Sequence, residues 1–387
     1  MVKAIKVMLI PNNVQKTKMF QYAGASRFAY NWALAREIEN YEKGGKFLSD
    51  AELRKEFTKL RHSDEYAWLL SISNNVTKQA IKDACTAYKN FFKGLQKFPR
   101  FKSKKRSMPK FYQDNVKIRF SNTHVKFEGF SSSRKANKQK MNWVRLAEHG
   151  RIPINAKYMN PRISFDGLNW WISVCVEFPD CRETLNDDGV GIDLGIKDLA
   201  ICSDGTKYKN INKSQKVKKL EKQKRRLQRS ISRSYEKNKK GESYCKTNNV
   251  IKKEKLLLKR NHRLTNIRKN YLNQTISEIV DRKPRFICIE DLNVSGMMKN
   301  RHLSKAVQAQ GFFWFRKQLE YRCSDKGIQL IVADRFYPSS KLCSCCGNIK
   351  KDLKLSDRVY RCACGNMIDR DFQASINLKT YGEKFAG

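Results

Sequence analysis

The chain has 387 residues, with 80 Lys and Arg against 37 Asp and Glu, a formal net charge of +43. That excess excludes a small-molecule enzyme with incidental charge. It points to an extended polyanion, because basic residues run through most of the sequence. Aromatics at 11% exclude a basic disordered tail, and the length allows two or three domains with sizeable cores.

No stretch reaches the ~18 apolar residues of a membrane span, and the first residues carry no secretory pattern, so no membrane partner is expected. Five of the twelve cysteines cluster between Cys343 and Cys364, and the rest are scattered without framework spacing. A reducing interior with one metal site follows, which places the protein in the cytoplasm, associated with a bacterial nucleoid.

Lys3–Ile10 mixes basic and apolar residues and reads as a strand closed by Pro11-Asn12-Asn13. From Gln15 to Leu95 the signals are helical. Phe28, Trp32 and Ala35 recur at spacings of four and three, as do Ala80, Ala84, Tyr88 and Phe91, and these stripes read as core. Ser49-Asp50-Ala51-Glu52 is a helix start with acidic residues in the first turn. Lys93–Arg106 then changes character: seven of its fourteen residues are basic, interleaved with Phe98 and Phe101. Lys97, Arg100, Phe101, Lys102, Lys104, Lys105 and Arg106 suit a phosphate backbone with bases stacking on rings, against the plainer reading of a solvated loop.

Between Phe111 and Phe178 the pattern is short and alternating, with Val116–Phe120 and Trp170–Phe178 read as strands. This is a small β domain, completed by the N-terminal strand and interrupted by a helical insert. Glu183–Asp188 reads as a linker. In Gly189–Ile201 two apolar runs flank a short turn, and Asp193 ends the first run among three glycines. Those glycines are read as room for a ligand or phosphate to approach the backbone. Lys213–Leu272 is strongly basic and reads as two long helices joined near Asn238–Asn249, with Arg225, Arg226 and Arg229 offered to a polyanion. Arg285–Leu292 is an apolar strand ending in Glu290-Asp291, followed by a helix at Phe312–Leu319 and a strand at Gly327–Ala333. Strand, helix, strand argues for an α/β sheet.

Cys343-x-x-Cys346 and Cys362-x-Cys364 bracket fifteen residues, and a Gly follows each pair. Four thiolates at this spacing suit closed, tetrahedral, structural zinc, with Cys345 able to substitute for Cys346. Asp369-Arg370-Asp371 follows at once, and the spacing predicts a helix begun by Asp371. Carboxylates therefore end two strands (Asp193, Glu290) and begin one helix (Asp371). Three converging carboxylates suit two Mg²⁺ ions roughly 3.5–4 Å apart and in-line phosphodiester displacement.

Asp193 in GIDLGIKD, Glu290 in IEDLN, the CxxC/CxC pairs and DRD resemble a split RuvC-type nuclease with an inserted zinc ribbon. With FPRFKSKK, LSKAVQAQGFFWFRKQLEY and ADRFYPSSKLCSCCG, the chain resembles the TnpB family of transposon-encoded RNA-guided nucleases nearly end to end. The resemblance implies a multidomain α+β protein. Its parts would be a wedge-like β-barrel domain (1–14 and 111–182), a helical recognition insert (15–110), an RNase H-like RuvC domain (183–340 and 369–387, with the basic helices at 213–272) and a zinc ribbon (341–368). It also implies a guide RNA copied from the transposon end, and a double-stranded DNA target with a short flanking motif. Asp371, rather than Asp369, matches the third catalytic position. Gln373 stands where the family usually has Asn. Guide pairing would explain why no base-reading motif is visible. Two other classes compete: a nuclease-dead RNA-guided repressor, disfavoured because all three carboxylates are present, and an autonomous transposase.

Overall fold

The computed structural model describes residues 1–130, 140–179, 183–354 and 357–386. The sequence-predicted domain limit at 182, Cys181 and Gly387 lie outside them. The chain forms two compact units, Met1–Pro179 and Asp180–Gly387.

In the first unit, β1 (Val2–Ile10) runs into α1 (Asn13–Glu42), α2 (Asp50–Arg61) and α3 (Asn74–Phe92). The strands β2 (Lys110–Tyr112), β3 (Arg119–Phe120), β4 (His124–Lys126), β5 (Trp143–Leu146), β6 (Tyr158–Phe165) and β7 (Trp170–Glu177) follow. The seven strands make one antiparallel sheet in the order β2-β6-β7-β1-β5-β4-β3. On β7, Trp170, Ile172, Val174 and Val176 are buried at every second position, the period that puts one face of a strand on a core. Asn12 starts α1 through a reciprocal cap: its Oδ1 accepts from the Gln15 N–H at 2.8 Å, and Gln15 Oε1 accepts from the Asn12 N–H. The Gln15 amide also donates to the carbonyls of Met141 and Trp143, which ties the helix to the start of β5. Ser49 and Glu52 form the same reciprocal cap on α2.

The expected strand at Val116–Phe120 shrinks to Arg119–Phe120. Asp114 Oδ1 accepts from the N–H groups of Val116 and Lys117, and this local turn competes with a sheet ladder.

In the second unit, β8 (Val190–Leu194), β9 (Asp198–Cys202) and β10 (Lys207–Lys209) form an antiparallel meander. Helices α4 (Gln215–Lys237) and α5 (Asn248–Val280) flank the short hairpin of β11 (Lys239–Lys240) and β12 (Ser243–Tyr244). Their seam is apolar, with Val217, Leu220 and Leu264 buried. Next come β13 (Phe286–Glu290), α6 (Val294–Lys299), α7 (Ser304–Gln310), α8 (Phe312–Lys326), β14 (Gln329–Ala333), the hairpin of β15 (Val359–Arg361) and β16 (Met367–Asp369), and α9 (Arg370–Glu383). The main sheet has the order β10-β9-β8-β13-β14, with β13 parallel to both β8 and β14. Ile192, Ile287 and Ile289 are fully buried in it, each contributing about 1.5–3 kcal/mol by leaving water. No helix among the described residues is long and apolar enough to cross a membrane.

One charge is trapped in the helical part of the first unit. Glu37 is buried, its Oε2 accepts only a long 3.3 Å bond from the Leu48 N–H, and burial pushes its carboxyl up to about 6. An acid whose folded pKa is raised loses stability as pH rises from its ordinary range through that value. Glu37→Gln is therefore expected to stabilise the protein by about 1 kcal/mol at pH 8 and by nothing at pH 4. Chemical denaturation at the two pH values measures the difference.

Candidate metal centres and nucleic-acid surfaces

The strand register brings the first two carboxylates side by side. Ile192 pairs with Ile289 across β8 and β13, so Asp193 and Glu290 are the next residues along two parallel neighbours. Asp193 is the one position of β8 that keeps a surface open to solvent. Burial first, then the charges of Glu290 and Asp371, push its carboxyl well above the usual range. Glu290 Oε1 accepts a 2.5 Å bond from the Ser339 hydroxyl, which leaves its second oxygen for another partner. Ser339 is itself buried, and its carbonyl accepts from the Asn377 amide at 2.7 Å. Neither Ser339 nor Asn377 carries a sequence signal as a site residue, since hydroxyls and amides are common and only the fold aims them.

The third carboxylate arrives on α9. The helix is capped by Asp369, not begun by Asp371: Asp369 Oδ1 accepts from the N–H groups of Asp371 and Phe372 at 3.1 Å each. Asp369 is thereby committed to the cap. Asp371 stands in the first turn, with Arg358 Nη1 at 3.8 Å from its Oδ2.

The glycines near Asp193 have a different purpose from the expected one. A Cβ on Gly191 would collide with the Ser375 carbonyl oxygen and the Lys379 backbone nitrogen. Gly191 therefore admits the backbone of α9 against β8. Gly189 and Gly382 clear space for the Phe286 ring.

Cys343, Cys346, Cys362 and Cys364 meet as one cluster, all four Sγ atoms lying within 4.8 Å of one another. Cys343 and Cys364 are 3.7 Å apart, and Cys346 and Cys362 3.6 Å. Four sulfurs at ~2.3 Å from a tetrahedral zinc stand about 3.8 Å apart, so the cluster has the dimensions for that ion. Cys345 is exposed and outside the group. Burial opposes ionisation of Cys343, but the Cys346 N–H, the Asn366 amide and the Cys345 N–H outweigh it and bring the thiol down to about 6. Helix α9 anchors this segment. Gln373 and Asn377 both donate to the Leu342 carbonyl, at 2.8 and 2.7 Å, and Gln373 Oε1 accepts from Asn366 at 3.0 Å. Gln373 is fully buried and, in its described bonds, serves the cysteine segment rather than the carboxylates.

The predicted nucleic-acid residues fall in both units. In the first, Asn31 clamps Lys102 through its backbone N–H and C=O, each at 2.8 Å. A turn closed by Ser103 and Ser107 displays Lys104, Lys105 and Arg106 to solvent. Lys97, Arg100 and Phe101 are exposed in the same loop segment. Lys102 differs: burial, then repulsion from Lys110, lowers its ammonium to about 7. In the second unit Arg225, Arg226 and Arg229 are exposed on α4. Lys224, Arg268, Lys269 and Lys305 also converge with Trp314 on a ≈440 Å³ cleft that sequence reasoning missed, because its walls come from four helices.

Over 93% of this chain and 87% of the relative, the sequence is 30% identical to a protein of Escherichia coli K12 named as the RNA-guided DNA endonuclease InsQ. The chain belongs to the TnpB family. A Streptomyces pristinaespiralis protein, also named as an RNA-guided DNA endonuclease, is 28% identical over 98% of this chain and 89% of its own. The family model described as a probable transposase matches residues 173–301. A Cas12f1-like TNB domain matches 312–378, and a helix-turn-helix domain matches 1–46. Among solved structures, a cryo-EM complex of Cas12f1 with sgRNA and target DNA has a TM-score of 0.61 at 10% identity, covering 98% of each chain. That likeness is one of fold: this TnpB chain is a mixed α+β, multidomain protein of the same type.

In this TnpB chain Gly191→Ala should force α9 off β8, costing about 2–3 kcal/mol or more. Gly195→Ala should cost less than about 1 kcal/mol, because its added carbon would come no nearer than 3.2 Å to any neighbour, the Asp198 carbonyl oxygen. Urea unfolding of the two variants beside wild type checks the contrast.

Proposed function

We propose that this TnpB protein is an RNA-guided DNA endonuclease that cuts target DNA at a single RuvC-type centre formed by Asp193, Glu290 and Asp371. The observation that carries the reading is the environment of Asp193. A carboxylate is held at the end of a buried strand with Glu290 and Asp371 acting on it, an arrangement that divalent cations would relieve. Two Mg²⁺ ions, when bound there, would supply the activated water and the stabilised leaving 3′ oxygen of an in-line phosphodiester displacement.

The chain's own residues set the rest. Asp193 would supply a carboxylate from β8. Glu290, with one oxygen fixed by Ser339, would present the other. Asp371, in the first turn of a helix whose cap Asp369 already fills, would supply the third carboxylate. The Cys343, Cys346, Cys362 and Cys364 cluster would hold structural zinc in a ribbon inserted before α9. The sheet order of the second unit, with helices on its strands, supports an RNase H-like domain. For the first unit we infer a wedge-like β domain interrupted by a helical recognition insert, taking a transposon-derived guide RNA and the duplex beside a short flanking motif. Exposed Lys97, Arg100, Phe101, Lys104, Lys105, Arg106, Arg225, Arg226 and Arg229 would meet phosphates and bases.

The test is depletion of a plasmid library with randomised flanks in cells expressing the protein with its native downstream locus. Wild type should deplete one flanking motif. Asp193→Asn should deplete none, and in vitro its cleavage should fall by about 10³-fold or more. Mg²⁺ should raise the Tm of wild type and leave that of Asp193→Asn nearly unmoved, as expected of an ion that binds only the folded site. Binding without depletion by wild type would favour the nuclease-dead repressor instead.

A second expectation concerns zinc. Elemental analysis should find one zinc per chain. Its removal by a strong chelator should abolish hydrogen-exchange protection across residues 343–369, since the small cluster of Cys343, Leu353 and Tyr360 is its only described core.

A further inference from the structure

Beside Glu290 lies a pocket of ≈260 Å³ that the carboxylates do not explain. Its walls are Leu194, Ile289, Leu292 and Phe312, and its mouth carries Phe313 and Arg335. We propose that this pocket seats the base of the DNA nucleotide next to the scissile phosphate, as a single unpaired base stacked on Phe313. The proposal rests on the endonuclease reading above and extends it to how the strand is held.

Position is the first argument. The pocket shares Glu290 with the proposed centre, and Leu194 directly follows Asp193. A phosphate held there through the proposed cations would place its neighbouring base at the mouth. Size is the second. The pocket is below the ~300–1,000 Å³ of sites for drug-sized ligands, which leaves room for one ring system and excludes a base pair.

Chemistry is the third. Phe313 is 64% exposed, an unusual setting for a phenyl ring at the edge of an apolar cavity, and a nucleobase offers it a π-face. Arg316 is ion-paired with both Asp291 and Glu320, which offsets its charge. Arg335 is half exposed and is held at one end by Asp291 Oδ2 at 2.5 Å. A guanidinium has five N–H donors, so the remainder of the fork is free to take the phosphate on the far side of the stacked base. At the rim Asn293 Oδ1 is already occupied by the Gly296 N–H and the Ser295 hydroxyl. The lining is mostly apolar, so the pocket would hold a base chiefly by shape and stacking. A tolerant subsite of that kind suits an enzyme whose sequence choice is made by guide pairing.

The test uses the guide-loaded protein and target duplexes carrying one tetrahydrofuran abasic site, stepped through the cut region. Wild type should lose about 10-fold in kcat/KM at one position and little elsewhere. Phe313→Ala should lose about 10-fold on intact DNA and become insensitive to the abasic site at that position, while Phe313→Trp should retain the wild-type pattern. Arg335→Ala should raise KM more than it lowers kcat, with partial rescue by Arg335→Lys. Equal response at every abasic position, or full abasic sensitivity retained in Phe313→Ala, overturns the subsite and leaves the endonuclease reading intact. Failure of wild type to cut intact DNA in Mg²⁺ overturns both.

Discussion

The contact on which the second unit depends is backbone against backbone: α9 lies on β8 at Gly191, with no side chain between them. Dispersion forces fall off steeply with distance, so a missing Cβ brings the whole helix closer than any larger residue allows. The approach fixes the end of α9 relative to the end of β8, and with it Asp371 relative to Asp193. It also fixes what the other side of α9 can reach. Gln373 and Asn377, four residues apart on one face, converge on a single carbonyl, that of Leu342, one residue before the first cysteine of the cluster. A helix of fourteen residues therefore carries Asp371 in its first turn and also holds the peptide that leads into the cysteine cluster.

This architecture explains what the sequence disclosed and what it withheld. Strands such as Val190–Leu194 and Phe286–Glu290 were legible because they are short apolar runs with defined ends. The cysteine pairs were legible because tetrahedral thiolate sites need that spacing. The glycines were visible as a cluster, but their purpose was not. A sequence shows that a Cβ is absent and cannot show whether a ligand or a helix fills the space. Gln373 stood out only as a departure from the family's Asn, and its position near Asp369 and Asp371 gave no hint that its described bonds go to Ser344, Asn366 and Leu342. Ser339 was unreadable altogether, because its bond to Glu290 spans 49 residues and leaves no periodic trace. Val116–Phe120 failed the other way, since alternation predicted a strand and one aspartate side chain satisfied the backbone locally.

The electrostatics work at two ranges. A net charge of +43 draws a polyanion to the protein, but at physiological salt each charge acts over only about 8 Å. Attraction is therefore local, and the exposed Lys104–Arg106 turn and the exposed arginines of α4 are the places where the proposed function would use it. The Asp193 region has the opposite sign. Without cations it repels a phosphate at the very place where the proposed chemistry needs one. The raised Asp193 carboxyl reflects its burial first and the nearby charges of Glu290 and Asp371 second, a cost that the fold bears at this position. An arrangement that is unfavourable for the empty fold is understandable if it is completed only when metal and substrate arrive together.

The Leu342 carbonyl shows how tightly these parts are joined. It accepts from two amide groups of α9, and Leu342 is the neighbour of Cys343. If zinc is lost, Cys343 is released from its partners and the Leu342 peptide loses its fixed direction. Gln373 and Asn377 are both buried, so each would then be left with an unmet donor, at a cost of about 1–3 kcal/mol apiece. Asn377 also donates to the Ser339 carbonyl, and Ser339 holds Glu290. A change at the cysteine cluster thus has a continuous hydrogen-bonded route to the second carboxylate, and through the helix itself to the third. A proposed structural metal in this position is not remote from chemistry. Zinc held there would steady the Leu342 peptide, whose two bonds to α9 add to the fixing of that helix at Gly191.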